Sequence, residues 1–201
     1  NSYIICALDE VCWLFNIRGN DISYNPVVLS YGFVDSENAI LFINTKKIDE
    51  HLANVLNEQG VIIKKYDKVE KQLSKLGKHD SIYVDPSKTN YFLYSSIPAK
   101  AKRIEGIGIV TEIKAHKNSV ELEGIRNAMV EDGIAMVEFL QWLELNVGKK
   151  KVSEISAAEK LADYRSKRNG FVSESFSPIV GYADHGAIVH YGATKESDYE
   201  I

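Results

Sequence analysis

Five histidines, His51, His79, His116, His185 and His190, are the side chains of this sequence best suited to proton transfer or metal ligation, and their spacing limits what each can do. None stands in an H-E-x-x-H array or another compact ligand spacing. His185 and His190 lie five apart with Asp184 adjacent, but residues five apart along a strand face opposite sides, which argues against a shared metal. His185 belongs to the turn Ala183-Asp184-His185-Gly186, where an Asp before a Gly supports tight geometry. His190 follows the apolar run Ala187-Ile188-Val189 as its one polar member, so the pattern predicts a buried strand that presents an imidazole to a pocket. A hydrogen-bonded structural histidine at that position stays open. His51, His79 and His116 lie in polar helical or loop settings and read as surface residues.

The remaining candidates are weaker. Ser175 and Ser177 lack the G-x-S-x-G frame of a nucleophile elbow, and Gly106-x-Gly108 lacks the third glycine of a dinucleotide fingerprint. Cys6 and Cys12, six apart, match neither a C-x-x-C redox pair nor a zinc ribbon, and their apolar neighbours mark them as buried thiols. So little cysteine fits a reducing, cytoplasmic compartment. Arg18 reads as paired to an acidic neighbour near a helix end at Gly19, with Arg18 or Asp21 facing a partner domain or subunit as the alternative.

Elements that would position these residues follow from periodicity. Tyr3 to Leu8 is predicted as a strand, with Asp9 as N-cap of a short helix through Trp13, Leu14 and Phe15. Val27 to Val34 and Ala39 to Ile43 form a predicted hairpin around Asp35-Ser-Glu-Asn38. Helical spacing at Ile48, Leu52, Val55 and Leu56 closes at Gly60, Val61 to Ile63 is a strand, and a polar helix around Val69, Leu73 and Leu76 ends at Gly77. Ser81 to Val84 is another strand, and Asp85-Pro-Ser87 is predicted to start a helix carrying Tyr91, Phe92 and Tyr94. These βα units imply an α/β fold with a mixed sheet.

Ile97 to His116 has weak periodicity and is read as a boundary between domains 1–113 and 114–201. Beyond it, Asn118 with Glu121 forms a capping box for a long amphipathic helix ending at Gly148, and Ser153 caps a second helix ended by Asn169-Gly170. Phe171 to Ser175, Ile179 to Val180 and Ala187 to Tyr191 are predicted strands, so the second domain opens as α+β. A sheet that begins so near Ile201 would carry unpaired edges, which suggests a piece of a larger enzyme.

Composition narrows the function class. The net charge of −4 is spread without a block of one sign, so nucleic acid is a poor partner, and Lys149-Lys150-Lys151 reads as a solvated turn. No apolar run approaches the roughly 20 residues of a membrane-spanning helix, and the start lacks a signal-type apolar core behind a basic flank.

Four segments carry a resemblance to a known family. Ala7 to Asp21 with Tyr24-Asn-Pro-Val27 and Leu29-Ser-Tyr31, and Asp85-Pro-Ser-Lys-Thr-Asn-Tyr91 with Leu93-Tyr-Ser-Ser-Ile97, resemble the middle domain of the long, three-domain Xaa-Pro aminopeptidases. Lys117 to Ala128 resembles the first helix of their pita-bread catalytic domain, with Ser119 where the family often has Pro. Gly186-Ala-Ile-Val-His-Tyr191 is similar to the segment that supplies the family's first active-site histidine.

The resemblance implies a creatinase N-terminal-like domain over 1–113 and the truncated start of a pita-bread domain over 114–201. It implies release of the N-terminal residue from peptides with proline second, by water activated between two divalent metals, typically manganese. It places the family's metal ligands, two Asp, one His and two Glu, after the segment matching His190, so no metal ligand and no catalytic residue is assigned in this chain, no metal is expected in it alone, and His190 is the one substrate-binding residue. It also implies a homodimer for the full-length protein. A non-catalytic pita-bread scaffold and a prolidase or creatinase relative remain the alternatives.

Overall fold

Near-continuous apolar runs, whose side chains point alternately to the two sides of a strand, let one sheet bury both of its faces. The computed structural model describes residues 1–201, which divide into two units, Asn1–His116 and Lys117–Ile201. In the first, β1 (Ser2–Ile5), β2 (Ser30–Asp35), β3 (Ala39–Ile43), β4 (Val61–Lys65), β5 (Ser81–Val84) and β6 (Lys102–Glu105) form one sheet in the order β4-β3-β2-β1-β5-β6. Only β2 runs antiparallel to its neighbours; β3–β4, β1–β5 and β5–β6 pair in parallel. Tyr3, Ile5, Leu41 and Ile43 point to one face, and Ile4, Phe33, Ile40, Phe42 and Ile82 to the other.

The first face is covered by α1 (Leu8–Leu14), α2 (Glu50–Glu58) and α5 (Ile109–Ala115) through Val11, Cys12, Phe15, Leu56 and Val110. The second is covered by α3 (Val69–Leu73) and α4 (Tyr91–Ser96) through Val69, Leu73 and Leu93. Each fully buried Leu, Ile or Phe here contributes about 1.5–3 kcal/mol relative to exposure, so this three-layer α/β/α stack is the mixed α/β fold the pattern implied.

Local expectations fare unevenly in this unit. The hairpin turn is held by Asp35, whose carboxylate accepts from the Glu37 and Asn38 amides at 2.9 and 2.8 Å, and Gly60 closes α2 at φ +79°. Asp9, however, is not a cap: the N-cap is Ala7, two residues earlier, α1 begins at Leu8, and Asp9 pairs with Lys114. Asp85 starts no helix; it accepts from Ser87 N and Gly108 N, both at 2.9 Å, and Asn90 caps α4 by accepting from Leu93 N at 3.0 Å. Strand β2 starts at Ser30 rather than Val27, because the residues before it are tied to a loop, with Asp21 N donating to Val27 O and Leu29 N to Asp21 Oδ2. Arg18 pairs with no acid, since its guanidinium donates to the Cys12 and Ile17 carbonyls at 3.0 and 2.9 Å. The weakly periodic stretch before His116 contains β6 and α5.

In the second unit, α6 (Ser119–Asn146) starts with the Asn118–Glu121 capping box and stops before Gly148 at φ +73°, and α7 (Glu154–Ser166) starts at Ser153. Their contact buries Phe139, Val152 and Ala157 against Trp142, Leu143, Leu161 and Tyr164. The strands expected at Phe171–Ser175, Ile179–Val180 and Ala187–Tyr191 are absent: the chain is irregular there apart from a 3₁₀ turn, Ala183–Ala187. A strand needs a hydrogen-bonding neighbour, and these runs have none within the 201 residues, so Val172, Phe176 and Val189 lie exposed.

Candidate functional site

The first turn of α7 gathers a buried cluster of titratable groups, Glu154, His185 and Tyr191. Val152 and Ala157 fix the helix against α6 by burial, and Ser153 caps it, with its Oγ accepting from Ser156 N and the Ser156 hydroxyl accepting from Ser153 N. That geometry points Glu154, the first helical residue, into the protein, where it is 0% exposed.

Four donors converge on its carboxylate. Tyr182 N lies 2.6 Å from Oε1, the Tyr191 hydroxyl 2.7 Å from Oε2, and Tyr199 N 3.2 Å from Oε2. His185 Nδ1 is 3.0 and 3.1 Å from the two oxygens, so that nitrogen carries the proton it donates. Burial alone would raise this acid, yet the bonds from Tyr182, Tyr191, Tyr199 and His185 outweigh it and bring the pKa down to about 2. The positive end of the α7 dipole acts in the same direction. His185 is buried, stacks on the ring of Tyr199 at 3.7 Å between centroids, and meets the tilted ring of Tyr191 at 4.6 Å.

Nearby backbone completes the assembly. Asp198 Oδ1 accepts from Ile155 N at 3.0 Å, Glu154 N donates to Tyr199 O, and Ile201 N donates to Val152 O at 2.8 Å. A cavity of about 260 Å³ opens beside it, lined by Glu154, Ala158, Glu174, Ser177, Val180 and Ala193 among others.

His190 sits one residue from this cluster, and the structure corrects how it is presented. It is exposed, lies on no strand, and has φ +55°, a left-handed conformation that histidine tolerates better than most residues. His185 lies in the 3₁₀ turn Ala183–Ala187, as its sequence context implies, and is the buried one of the two histidines. His51, His79 and His116 are exposed, and Ser175 and Ser177 lie on irregular, exposed chain. Glu154 escaped the sequence reading because its partners are 28 to 45 residues away; a lone acidic residue between Val152 and Ile155 directly after a cap was the one available signal.

A second buried acid occupies the first unit. Glu10, on α1, accepts from Lys88 Nζ and Thr111 Oγ1, while Lys88 also donates to Thr111 Oγ1 at 2.7 Å. These residues follow the carboxyl ends of parallel β1, β5 and β6. Cys6, nearby, is a thiol rather than a thiolate, because burial foremost pushes its pKa up to about 11. It is no candidate nucleophile.

Neither cluster fits a metal pair. No group of three or more His, Cys, Asp or Glu side chains in this chain is arranged to hold a metal ion, and Glu154 is already saturated by four donors.

Comparison with known proteins accounts for nearly the whole chain. The profile described as Creatinase/Prolidase N-terminal domain matches residues 1–121, and that described as Metallopeptidase family M24 matches 123–200. The Probable Xaa-Pro aminopeptidase P of Botryotinia fuckeliana is 38% identical over 202 residues, which cover 95% of this chain and 31% of that protein. Xaa-Pro aminopeptidase ApepP of Drosophila melanogaster is 32% identical, covering 100% of this chain and 33% of its own. The crystal structure of X-prolyl aminopeptidase from Caenorhabditis elegans, described as a cytosolic enzyme with a di-nuclear active site, matches with TM-score 0.90 at 34% identity, over 98% of this chain and 33% of that one. Xaa-Pro dipeptidase from Bacillus anthracis, at 17% identity and TM-score 0.68, covers 99% of this chain and 53% of its own, and shares the fold. The chain thus spans about one third of the length of the curated relatives it matches.

Proposed function

The chain belongs to the creatinase/prolidase family, with an M24 metallopeptidase segment after its N-terminal domain, and from that premise we propose that it is the middle and early catalytic part of a metallo-aminopeptidase. The activity we assign to the full-length polypeptide is release of the N-terminal residue from peptides with proline in second position. Two divalent metals, manganese by our reading, would be held by ligands outside the residues described and would supply activation of the attacking water. The observation that carries this is the coincidence of order and geometry: both family segments occur in sequence, and the backbone follows that of the worm X-prolyl aminopeptidase at TM-score 0.90.

Within this chain the assignment is limited to what its residues do. We read 1–113 as the creatinase N-terminal-like domain, 114–201 as the opening of the catalytic domain, and His190 as the substrate-binding residue, whose exposed ring is free to hydrogen-bond a peptide. The residues present offer no metal-ligand set, so none of them is assigned to hold a metal. No helix is long and apolar enough to cross a membrane. The worm enzyme is described as cytosolic, which supports our reading of the full-length protein as cytoplasmic. A homodimer is the assembly we assign to the full-length protein.

The test is direct. Full-length polypeptide supplied with manganese is expected to cleave Xaa-Pro peptides and to lose that activity on chelation, while the purified 201-residue chain is inactive. Failure of the full-length protein on Xaa-Pro peptides with manganese, cobalt or zinc overturns the activity. Cleavage by the 201-residue chain above a contaminant control overturns the limit placed on it.

A further inference from the structure

We propose that Asn169 is a self-modifying position of this chain: the structure leaves its side-chain amide open to attack by the next backbone nitrogen, Gly170 N, while it closes the comparable pair Asn118–Ser119. The product is an aspartyl or isoaspartyl group in place of Asn169, formed without an enzyme. It is a property of the 201-residue chain and holds whether or not the longer polypeptide is a peptidase.

Asn169-Gly170 is the one Asn-Gly step in the sequence, and it follows the end of α7. There Arg168 N donates to Arg165 O at 2.9 Å, and Phe171 N donates to Arg168 O at 3.3 Å. Between these two bonds Gly170 N donates to no protein acceptor, and the Asn169 side chain has no hydrogen-bond partner in the protein. Both residues are exposed. Gly170 holds φ +77°, the left-handed closure of a helix end, and a Cβ built on it would meet nothing within 4 Å. The attacking nitrogen therefore has no bond to break and no neighbour in its path.

The reaction needs only water. Gly170 N gives its proton to solvent and bonds to Asn169 Cγ, and the bond from Cγ to the side-chain nitrogen breaks, so that ammonia leaves. Water then opens the resulting cyclic imide at either carbonyl. Opening at one gives the aspartyl product, and opening at the other gives an isoaspartyl link.

Asn118 shows the closed case. It too precedes a small residue, Ser119, but its Oδ1 accepts from Glu121 N at 2.9 Å as the cap of α6, while Asn118 N donates to Glu121 Oε2 at 2.9 Å. Turning its Cγ onto Ser119 N would break the cap.

Conversion at Asn169 changes the end of α7. The new carboxylate stands past the C-terminus of the helix, where the dipole disfavours negative charge. Arg165 and Arg168 line a cavity of about 320 Å³ together with Asn169, but Asp132 and Glu138 already pair with them at 2.6 and 3.4 Å. An isoaspartyl link also adds a backbone methylene inside the turn that Phe171 N closes on Arg168 O.

The experiment ages the purified 201-residue chain in neutral buffer and, in parallel, in urea, and follows each asparagine by peptide mass mapping with isoaspartyl detection. Asn169 is expected to convert in buffer within about twofold of its rate in urea, because an exposed, unbonded step opens at almost no free-energy cost. Asn118 is expected to be slowed roughly fivefold or more, the scale on which a side-chain cap holds its helix end. Equal ratios at the two positions, whether both near one or both small, overturn the proposal. In Asn169→Gln the early isoaspartyl species is expected to vanish, and its persistence refutes the assignment to this residue.

Discussion

The Tyr191 hydroxyl donates to Glu154 Oε2 at 2.7 Å, joining two residues 37 positions apart on buried ground. Removing that hydroxyl with Tyr191→Phe keeps the ring beside His185 and strips one bond from a charged acceptor. Hydrogen bonds to charged groups contribute about 1.5–3 kcal/mol, so a loss of about 2 kcal/mol is expected in the second unit. Trp142, which packs on Phe139 there, is the probe, and urea unfolding followed in a Trp13→Phe background measures it. An unshifted midpoint would mean that the bond is compensated by water.

The same carboxylate sets a pH dependence. Its folded pKa of about 2 lies below the ordinary value of 4.5, so the folded state binds fewer protons between those values than the unfolded state. Stability from this group is therefore fully present above about pH 4.5 and is lost as pH falls toward 2. Other carboxylates contribute slopes of the same sign, including Asp85 and Asp35, so the informative quantity is the difference from Glu154→Gln. The variant's unfolding free energy, read through Trp142, is expected to be flatter than the wild type's in that window and to run parallel to it above.

What the sequence disclosed follows the range of the interactions. The Asn118–Glu121 box, the Asp35 turn and Gly60 are decided within a few residues, and all three were legible. Asp9 and Asp85 were misread because the same side chain that caps a helix can bond across the fold, to Lys114 in one case and Gly108 N in the other. The run ending at His190 has the composition of a strand, but a strand also requires a partner, and composition carries no information about that. His185 and Glu154 are 31 residues apart, a separation that no local pattern spans.

Glu10 and Lys88 offer a double-mutant cycle in the first unit. Glu10 is 2% exposed, whereas the Lys88 side chain is 32% exposed, so the two ends of the pair are not equivalent. Lys88→Met leaves a buried carboxylate with Thr111 as its remaining donor, and is expected to cost about 3 kcal/mol; Glu10→Gln leaves a lysine that water can reach, and is expected to cost less. The double change is expected to cost less than the sum, with a coupling of about 1–2 kcal/mol. Trp13 fluorescence in a Trp142→Phe background separates this unit from the other. Equal costs for the two single changes would contradict the asymmetry in burial.

Two glycine-to-alanine changes of identical chemistry are expected to have opposite signs. At Gly32 a Cβ would stand 3.0 Å from Ile5 Cδ1 and 3.1 Å from Phe15 Cε2. Both neighbours are buried in the core of the first unit, 1% and 5% exposed, so neither has room to withdraw. Overpacking of this kind costs about 1–3 kcal/mol, which exceeds the backbone entropy that alanine saves. At Gly133, inside α6, a Cβ meets nothing within 4 Å, and alanine is favoured over glycine in a helix interior by about 0.5–1 kcal/mol. Gly32→Ala is thus expected to lower the urea midpoint reported by Trp13, and Gly133→Ala to raise that reported by Trp142. A midpoint that Gly32→Ala left unchanged or raised would mean that the close approach of Ile5 and Phe15 to Gly32 is not a constraint on the fold.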